Sequence, residues 1–309
     1  MDYGVHLPVV DFGLHKFSLD WLSVYVRTAR DLGFKAVLAN DHLIYSRPWL
    51  DAPTALAAVL ADSGNMTIGI ALLAIVRGPV PMAKALAAID ILSNGRLFVA
   101  VVPGSSARDH EIVSLNYSER WKRLDETVQV MRSLWSADTV GFSGRFYSIG
   151  PVDLEPKPPQ KPTPPIWVGS WGSDAGLRRV ARFGDGWLAS AYNTLPDQFA
   201  AALAKLQNQL EVFGKDPTSF PNALATMFMY ITRDDSETER VLAKTLTALL
   251  NRPVEELGER LLVGSPEVCA KKLKAYEAVG VQRVFIWPIK DEIDQLTLFK
   301  QKVVPLVDR

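Results

Sequence analysis

The feature that most constrains this chain is a rhythm. Short apolar runs alternate with longer segments whose apolar residues recur at helical spacing. Tyr3-Gly4-Val5-His6-Leu7 reads as a first strand. Ser18 then caps a segment whose apolar positions Leu19, Leu22, Val26, Ala29 and Leu32 share a helical face, and Gly33 ends it. The same alternation gives strands at 36–39, 67–74 and 97–102, with helices at 52–60, 82–92 and 119–135. It resumes with strands at 166–169, 186–189, 223–231 and 283–287, and helices at 174–182, 196–212, 237–250, 266–278 and 292–306.

Eight such strands in 309 residues predict an α/β fold, a (β/α)8 TIM barrel forming a single domain over 1–309. The strands are nearly continuous apolar runs, as expected where both faces of a parallel sheet are covered. An open doubly wound sheet would place a GxGxxG turn after its first strand, where this chain reads HLPVVDFG. The stretch GFSGRFYSIGPVDLEPKPPQKPTPP interrupts the rhythm between the fourth and fifth βα units. Its prolines and glycines exclude a helix, and its alternating aromatics allow a short hairpin at most. It is read as an insertion over about 138–165 that, with the loop after Asp41, shapes a pocket over the barrel.

Charge narrows the function. Lys plus Arg and Asp plus Glu both number 34, so no net charge draws the chain to nucleic acid or an acidic membrane. Cys269 is the only cysteine, which excludes an intrachain disulfide and fits a reducing compartment. The opening MDYGVHLPVV lacks the pattern of a signal peptide, and no apolar run reaches the length of a membrane span. The expectation is a cytoplasmic protein acting on a small molecule.

In a barrel of this type the chemistry gathers where strands end, at the C-terminal mouth. The candidate ends are His6, then Asn40-Asp41-His42, Leu72-Leu73-Ala74 and Gly104-Ser105-Ser106. The later ends are Gly169-Ser170-Trp171-Gly172, Ser190, Thr232 and Trp287-Pro288. GSWGSDAG, starting at Gly169, suits an anion: small residues admit a phosphate, and Ser173 or Asp174 starts a helix whose first N–H groups point outward. Gly104 and Ser105 offer further donors. His42 is one of four histidines, and its imidazole can exchange a proton near neutral pH beside the acidic Asp41. His15 and His110 lie in loop-like stretches and are read as solvated. No spacing of histidines or cysteines fits a metal, and no GxSxG elbow marks a serine nucleophile. Trp167 and Trp187 read as packing residues, whereas Trp171 and Trp287 sit at strand ends where they could flank an aromatic ring.

Several stretches, taken in order, resemble the bacterial luciferase-like monooxygenase superfamily. LSNGRLFVAVVPGS resembles its LSxGRxxxGxGxG signature, and RWKRLDETVQVMRSLW its RxxRxxExxxxxRxLW helix. NDHL, FSGRFYSI, PKPPQKPTPPIWVGS and ARFGDGW follow the family's pattern as well. The resemblance implies a homodimeric TIM barrel that binds a deazaflavin, coenzyme F420, or FMN at the mouth. It implies His42 as the active-site histidine and Asp41 as a cofactor-contacting acid. Gly169, Ser170, Trp171, Gly172 and Ser173 match the phosphate turn, whereas the family's GxGxG after the fourth strand is loosened here to VVPGSS, which holds Gly104 and Ser105. Ala71, Leu72 and Leu73 match a backbone bulge behind the cofactor ring. A glutamate that sugar-phosphate dehydrogenases of the deazaflavin branch carry after the fourth strand is Ala107 here, and the tryptophan they place soon after the histidine is absent. The implied activity is hydride transfer between F420 and a small organic substrate, with His42 as acid or base. The alternatives are a two-component FMN monooxygenase fed by a separate reductase, and a non-catalytic flavin-binding protein.

Overall fold

The computed structural model describes residues 1–12, 17–136 and 138–308, so His15 lies outside the described residues. Among the described residues eleven strands form: β1 (Asp2–His6), β2 (Ala36–Asn40), β3 (Thr67–Leu72), β4 (Leu97–Val101), β5 (Val140–Ser143), β6 (Ser148–Val152), β7 (Ile166–Gly169), β8 (Gly186–Ser190), β9 (Asn222–Ile231), β10 (Leu262–Gly264) and β11 (Arg283–Pro288). Eight of them close a parallel ring in the order β1-β2-β3-β4-β7-β8-β9-β11, with β11 returning to β1. This is a TIM barrel.

Strand alternation divides the apolar residues into two cores. Ala36, Leu38, Ala71, Phe98, Ala100, Trp167, Leu188, Ala223, Ala225 and Phe285 pack inside the ring. The intervening residues, such as Val37, Ile68, Ile70, Val99 and Val168, face the helices. Three large rings fill the lower barrel, each lying over a glycine directly opposite on the next strand. Phe98 covers Gly69, Trp167 covers Gly186 and Phe285 covers Gly4. A Cβ on any of these glycines would sit within 2.6 Å of the ring, so the large–small pairing fixes both register and fill. The rings leave the upper barrel to small residues, and space opens there.

The helices start where side chains can cap them. Ser18 accepts the N–H of Trp21, Ser173 that of Gly176 and Ser265 that of Val268. The helix Pro196–Val212 matches the expected bounds, as does Pro266–Ala278. Two predicted helices instead contain wider π turns, Leu242–Leu246 and Phe299–Val303.

Four differences from the sequence reading matter for the site. The third strand ends at Leu72 rather than 74; Leu73 leaves the extended region (φ −78, ψ 61) and Ala74–Arg77 coils into a short helix. β9 is long enough to have two partners at each end: its first half closes the barrel, and Met229–Ile231 pair with β10. The barrel end of that strand is therefore Ala225-Thr226, not Thr232. His110 is fully buried in the helix Ala107–Glu111, its ring nitrogens 2.9 Å from Ser106 O and 3.1 Å from Pro103 O, so it is not solvated.

The fourth difference concerns the insertion. β5 and β6 do form an antiparallel hairpin, held by Glu126, which accepts the N–H groups of Arg145 and Phe146. The proline-rich remainder then passes beneath the barrel, where the Gln160 amide donates to Asp90 and to the Leu97 carbonyl at 2.7 Å each. It does not shape the mouth. The reason is topological: a helix that starts at the mouth ends at the opposite face, so any excursion between it and the next strand emerges there.

Candidate active site

A cavity of about 360 Å³ opens at the C-terminal mouth, within the range of small-molecule sites. Asp41, His42, Ala71, Leu73, Gly104, Ser105, Gly169, Ser170, Trp171 and Ser173 all line it, so ten of the expected residues converge. Leu72 and Gly172 do not line it. Leu72 alternates with Ala71 and faces the helices, fully buried, while Gly172 supplies backbone geometry (φ +93) to the turn. Trp287 is also buried away from the cavity, stacked on His6 and Phe228.

His42 leaves the end of β2 and turns its ring towards the helix Ala107–Glu111. Its Nδ1 lies 3.0 Å from Oδ2 of Asp109. The other oxygen of Asp109 accepts the N–H groups of Leu43 and Ile44, at 3.1 and 2.8 Å. Asp109 is fully buried. Burial alone would raise its pKa, but the bonds from His42 and from the Ile44 and Leu43 backbone outweigh this and hold it below the ordinary value. An ionised Asp109 accepts a hydrogen from His42 Nδ1, and in the neutral imidazole Nε2 is then the acceptor, on a ring that lines the cavity.

Asp41 is committed elsewhere. Its carboxylate receives two bonds from Arg77, at 2.6 and 2.8 Å, and one from the N–H of Leu73 at 3.1 Å. Arg77 in turn reaches Asp51 at 2.6 Å. The acid therefore anchors the bend at Leu73, and that bend presents an apolar wall with Ala71 and Val102. Gly104 adopts a left-handed conformation (φ +80); a Cβ there would meet His110 at 3.0 Å and Leu73 at 3.1 Å, so glycine lets this loop close on the wall.

The turn after β7 has more than small residues. Ser170 Oγ accepts from Gly172 and Ser173 Oγ caps the helix Asp174–Phe183. Arg120, at the start of the helix Arg120–Ser136, lines the same cavity and stacks on Tyr117 with its guanidinium carbon 3.9 Å from the ring centre. It bonds the Tyr117 carbonyl, and among the described residues no carboxylate lies within ion-pair distance of it. Asp174, the nearest acid on the turn, is paired with Lys205.

The floor carries a further polar set. His6 is wholly buried, and burial pulls its pKa down to about 3, so its ring is neutral at pH 7. Its Nε2 accepts the N–H of Thr226 at 2.8 Å. Thr226 is left-handed (φ 56), a strained state for a β-branched residue that costs about 1–3 kcal/mol. The bond to His6 and the 2.9 Å contact between its hydroxyl and Ser190 hold it there. Among the described residues no group of acids, histidines and cysteine could hold a metal, and no helix is long and apolar enough to cross a membrane.

Sequence reasoning missed Asp109, Tyr117, Arg120 and Thr226. The first three lie at helix starts after the fourth strand, and helix starts share the mouth with strand ends, so that rule could have found them. Thr226 had no such signal, because its bulge depends on neighbouring strands.

Comparison with known proteins follows the same lines. The profile of luciferase-like monooxygenases matches residues 10–283. The chain is 26% identical to an F420-dependent hydroxymycolic acid dehydrogenase of Mycobacterium tuberculosis, over 94% of this chain and 85% of that protein. It is 25% identical to an FMNH2-dependent dimethylsulfone monooxygenase of Pseudomonas putida, over 81% of this chain and 76% of that protein. An F420-dependent secondary alcohol dehydrogenase has the same fold, with a TM-score of 0.86 at 19% identity over 99% of this chain and 98% of that one.

Proposed function

The chain belongs to the luciferase-like monooxygenase family, and from that premise we propose that it is an oxidoreductase passing hydride between coenzyme F420 and a small organic molecule, with His42 exchanging the proton. The observation that carries this reading is the His42–Asp109 pair at the cavity wall. A buried carboxylate that fixes one nitrogen and leaves the other bare makes a proton acceptor of defined direction. The deazaflavin relative spans 94% of this chain and the flavin relative 81%, which supports the deazaflavin.

The residues fit such a cofactor. Ala71, Leu73 and Val102 form an apolar wall for a planar ring. Ser170, Ser173 and Arg120 line one part of the cavity, where a guanidinium with no carboxylate partner among the described residues and the first N–H groups of the helix would bind a phosphate. When bound, a deazaflavin supplies a ring carbon that accepts or releases hydride. His42 Nε2 takes the hydroxyl proton of an alcohol during oxidation and returns it to a carbonyl oxygen during reduction. Asp109 keeps the ring oriented and stabilises the imidazolium that forms. Asp41, through Arg77 and the Leu73 N–H, keeps the wall in place.

Fluorescence titration with F420 and with FMN tests the cofactor, and His42→Ala tests the histidine. The expected result is tight binding of F420, unchanged in the variant, with turnover lowered about a hundredfold or more. Binding of FMN alone would replace this reading with the second one, a monooxygenase receiving reduced FMN from a separate reductase, which the dimethylsulfone monooxygenase relative favours.

A further inference from the structure

The opposite end of the barrel holds a second cavity. A cleft of about 500 Å³ opens at the N-terminal ends of the strands, across the molecule from the mouth. Its lining comes from residues at or just before the starts of β3, β4, β7, β8, β9 and β11. Phe98 and Trp167, two of the rings that fill the lower barrel, reach its floor, and Leu97, Pro165 and Pro221 add apolar wall.

Two guanidiniums stand in this apolar bowl, Arg96 and Arg283, on strands that lie opposite one another in the ring. Arg96 is tied down. Its Nε donates to the Ser93 carbonyl at 2.7 Å, and its Nη1 to Ser63 Oγ at 3.1 Å and to the Met66 carbonyl. These acceptors are neutral, so they hold the side chain without cancelling its charge. Arg283 is loosely held. Its Nη2 lies 3.4 Å from Oδ2 of Asp2, whose side chain is 54% exposed, and its Nε is buried with no hydrogen-bond partner. Asp185, the acid in the lining, is occupied by Arg132 at 2.6 Å and by the Ile166 N–H at 2.9 Å.

A buried donor without an acceptor costs stability, and a long, solvent-exposed ion pair returns little. We propose that the N-terminal face of the barrel carries a second ligand site, for a planar aromatic carboxylate, with Arg283 as its anchor. The inference is independent of the reading of the mouth. Nε comes into reach when the side chain turns from Asp2 towards the cleft, a move that gives up only a 3.4 Å contact. The fork of the guanidinium then meets a carboxylate in two bonds, and Arg96 adds positive potential from the far side. The ring of the ligand lies over Phe98 and Trp167, between the prolines. An inorganic anion would meet the charge and leave the apolar walls to water. A neutral aromatic would cover the walls and leave Arg283 without a charged acceptor.

The experiment titrates benzoate, benzamide and inorganic phosphate into the full-length protein by calorimetry at low ionic strength. Benzoate should bind at least about tenfold more tightly than either of the others. Arg283→Gln should weaken benzoate about tenfold, and Arg283→Lys, which keeps the charge without the fork, should recover part of the loss. Thr67→Asp, which adds a competing carboxylate to the cleft, should also weaken benzoate and serves where Arg283→Gln does not fold. Arg120→Gln, at the mouth, should leave benzoate affinity unchanged. Thermal unfolding shows which variants are folded. Absence of benzoate binding up to about 10 mM overturns the proposal. So does equal binding of benzamide or phosphate, or a folded Arg283→Gln or Thr67→Asp protein that binds benzoate normally. A loss of benzoate binding in Arg120→Gln would assign the ligand to the mouth and overturn it as well.

Discussion

Asp109 Oδ2 lies 3.0 Å from His42 Nδ1 while Oδ1 of the same carboxylate holds the backbone of Leu43 and Ile44. One buried acid thus sets both the tautomer of the histidine and the path of the loop that carries it. Neither task needs the acid to touch a substrate, which makes Asp109 a positioning residue.

Asp109→Asn separates these two tasks. Its Oδ1 can still receive the two backbone N–H groups, but its amide nitrogen offers a donor to His42 Nδ1 and forces the hydrogen onto Nε2. Turnover in the direction of alcohol oxidation should fall about a hundredfold or more, with cofactor affinity and fold unchanged. Steady-state kinetics and cofactor titration measure this. Full activity in the variant would remove the pair from the mechanism.

Arg120→Gln tests the anion end. Affinity for the phosphate-bearing cofactor should drop about tenfold or more, as for loss of a charged hydrogen bond. Affinity for the same ring without its phosphate should not change. Equal losses for both ligands would mean that Arg120 acts on the ring or on the fold instead.

Arg77→Met tests the wall. It leaves the Asp41 carboxylate, whose side chain is 0% exposed, without its cation. Stability should fall by about 3 kcal/mol in urea unfolding, and ring binding should weaken with it as the bend at Leu73 loosens. An unchanged unfolding midpoint would show the ion pair to be dispensable.

His6 gives a pH signature. Its pKa falls from 6.5 to about 3 on burial, so between these values the unfolded chain carries a proton that the folded one lacks. Stability contributed by the neutral ring is complete above the unfolded value and is lost as pH falls, with a slope of up to about 1.4 kcal/mol per pH unit. His6→Gln retains an acceptor for the Thr226 N–H and removes the titration. Urea midpoints of the two proteins should converge as pH drops below the unfolded value; parallel curves would contradict the neutral, buried ring.

Much of this site could be read from the chain because barrel strands announce themselves locally. The β2 run Ala36-Val37-Leu38-Ala39 breaks into Asn40-Asp41-His42 at the point where the strand leaves the core, so position in the sequence gave position at the mouth. Asp41 shows the limit. Its acidity beside His42 was legible, but its partner Arg77 follows an apolar turn that looked like more strand. The insertion shows a second limit: its hairpin was visible in FSGRFYSI, yet which face of the barrel it covers depends on the direction of the helix before it.

From the sequence alone come the eight alternating units, the strand ends and the glycine- and serine-rich turns, because these follow from hydrophobic period and backbone preference within a few neighbouring residues. The tertiary structure alone decided that Asp109 meets His42, that Thr226 is bent against His6 and that Arg120 stands near the turn after β7 with no carboxylate partner among the described residues. Those relations join residues 67, 220 and some 50 positions apart. Ring closure of the barrel brings them together, and no local pattern encodes which strand ends will face one another across it.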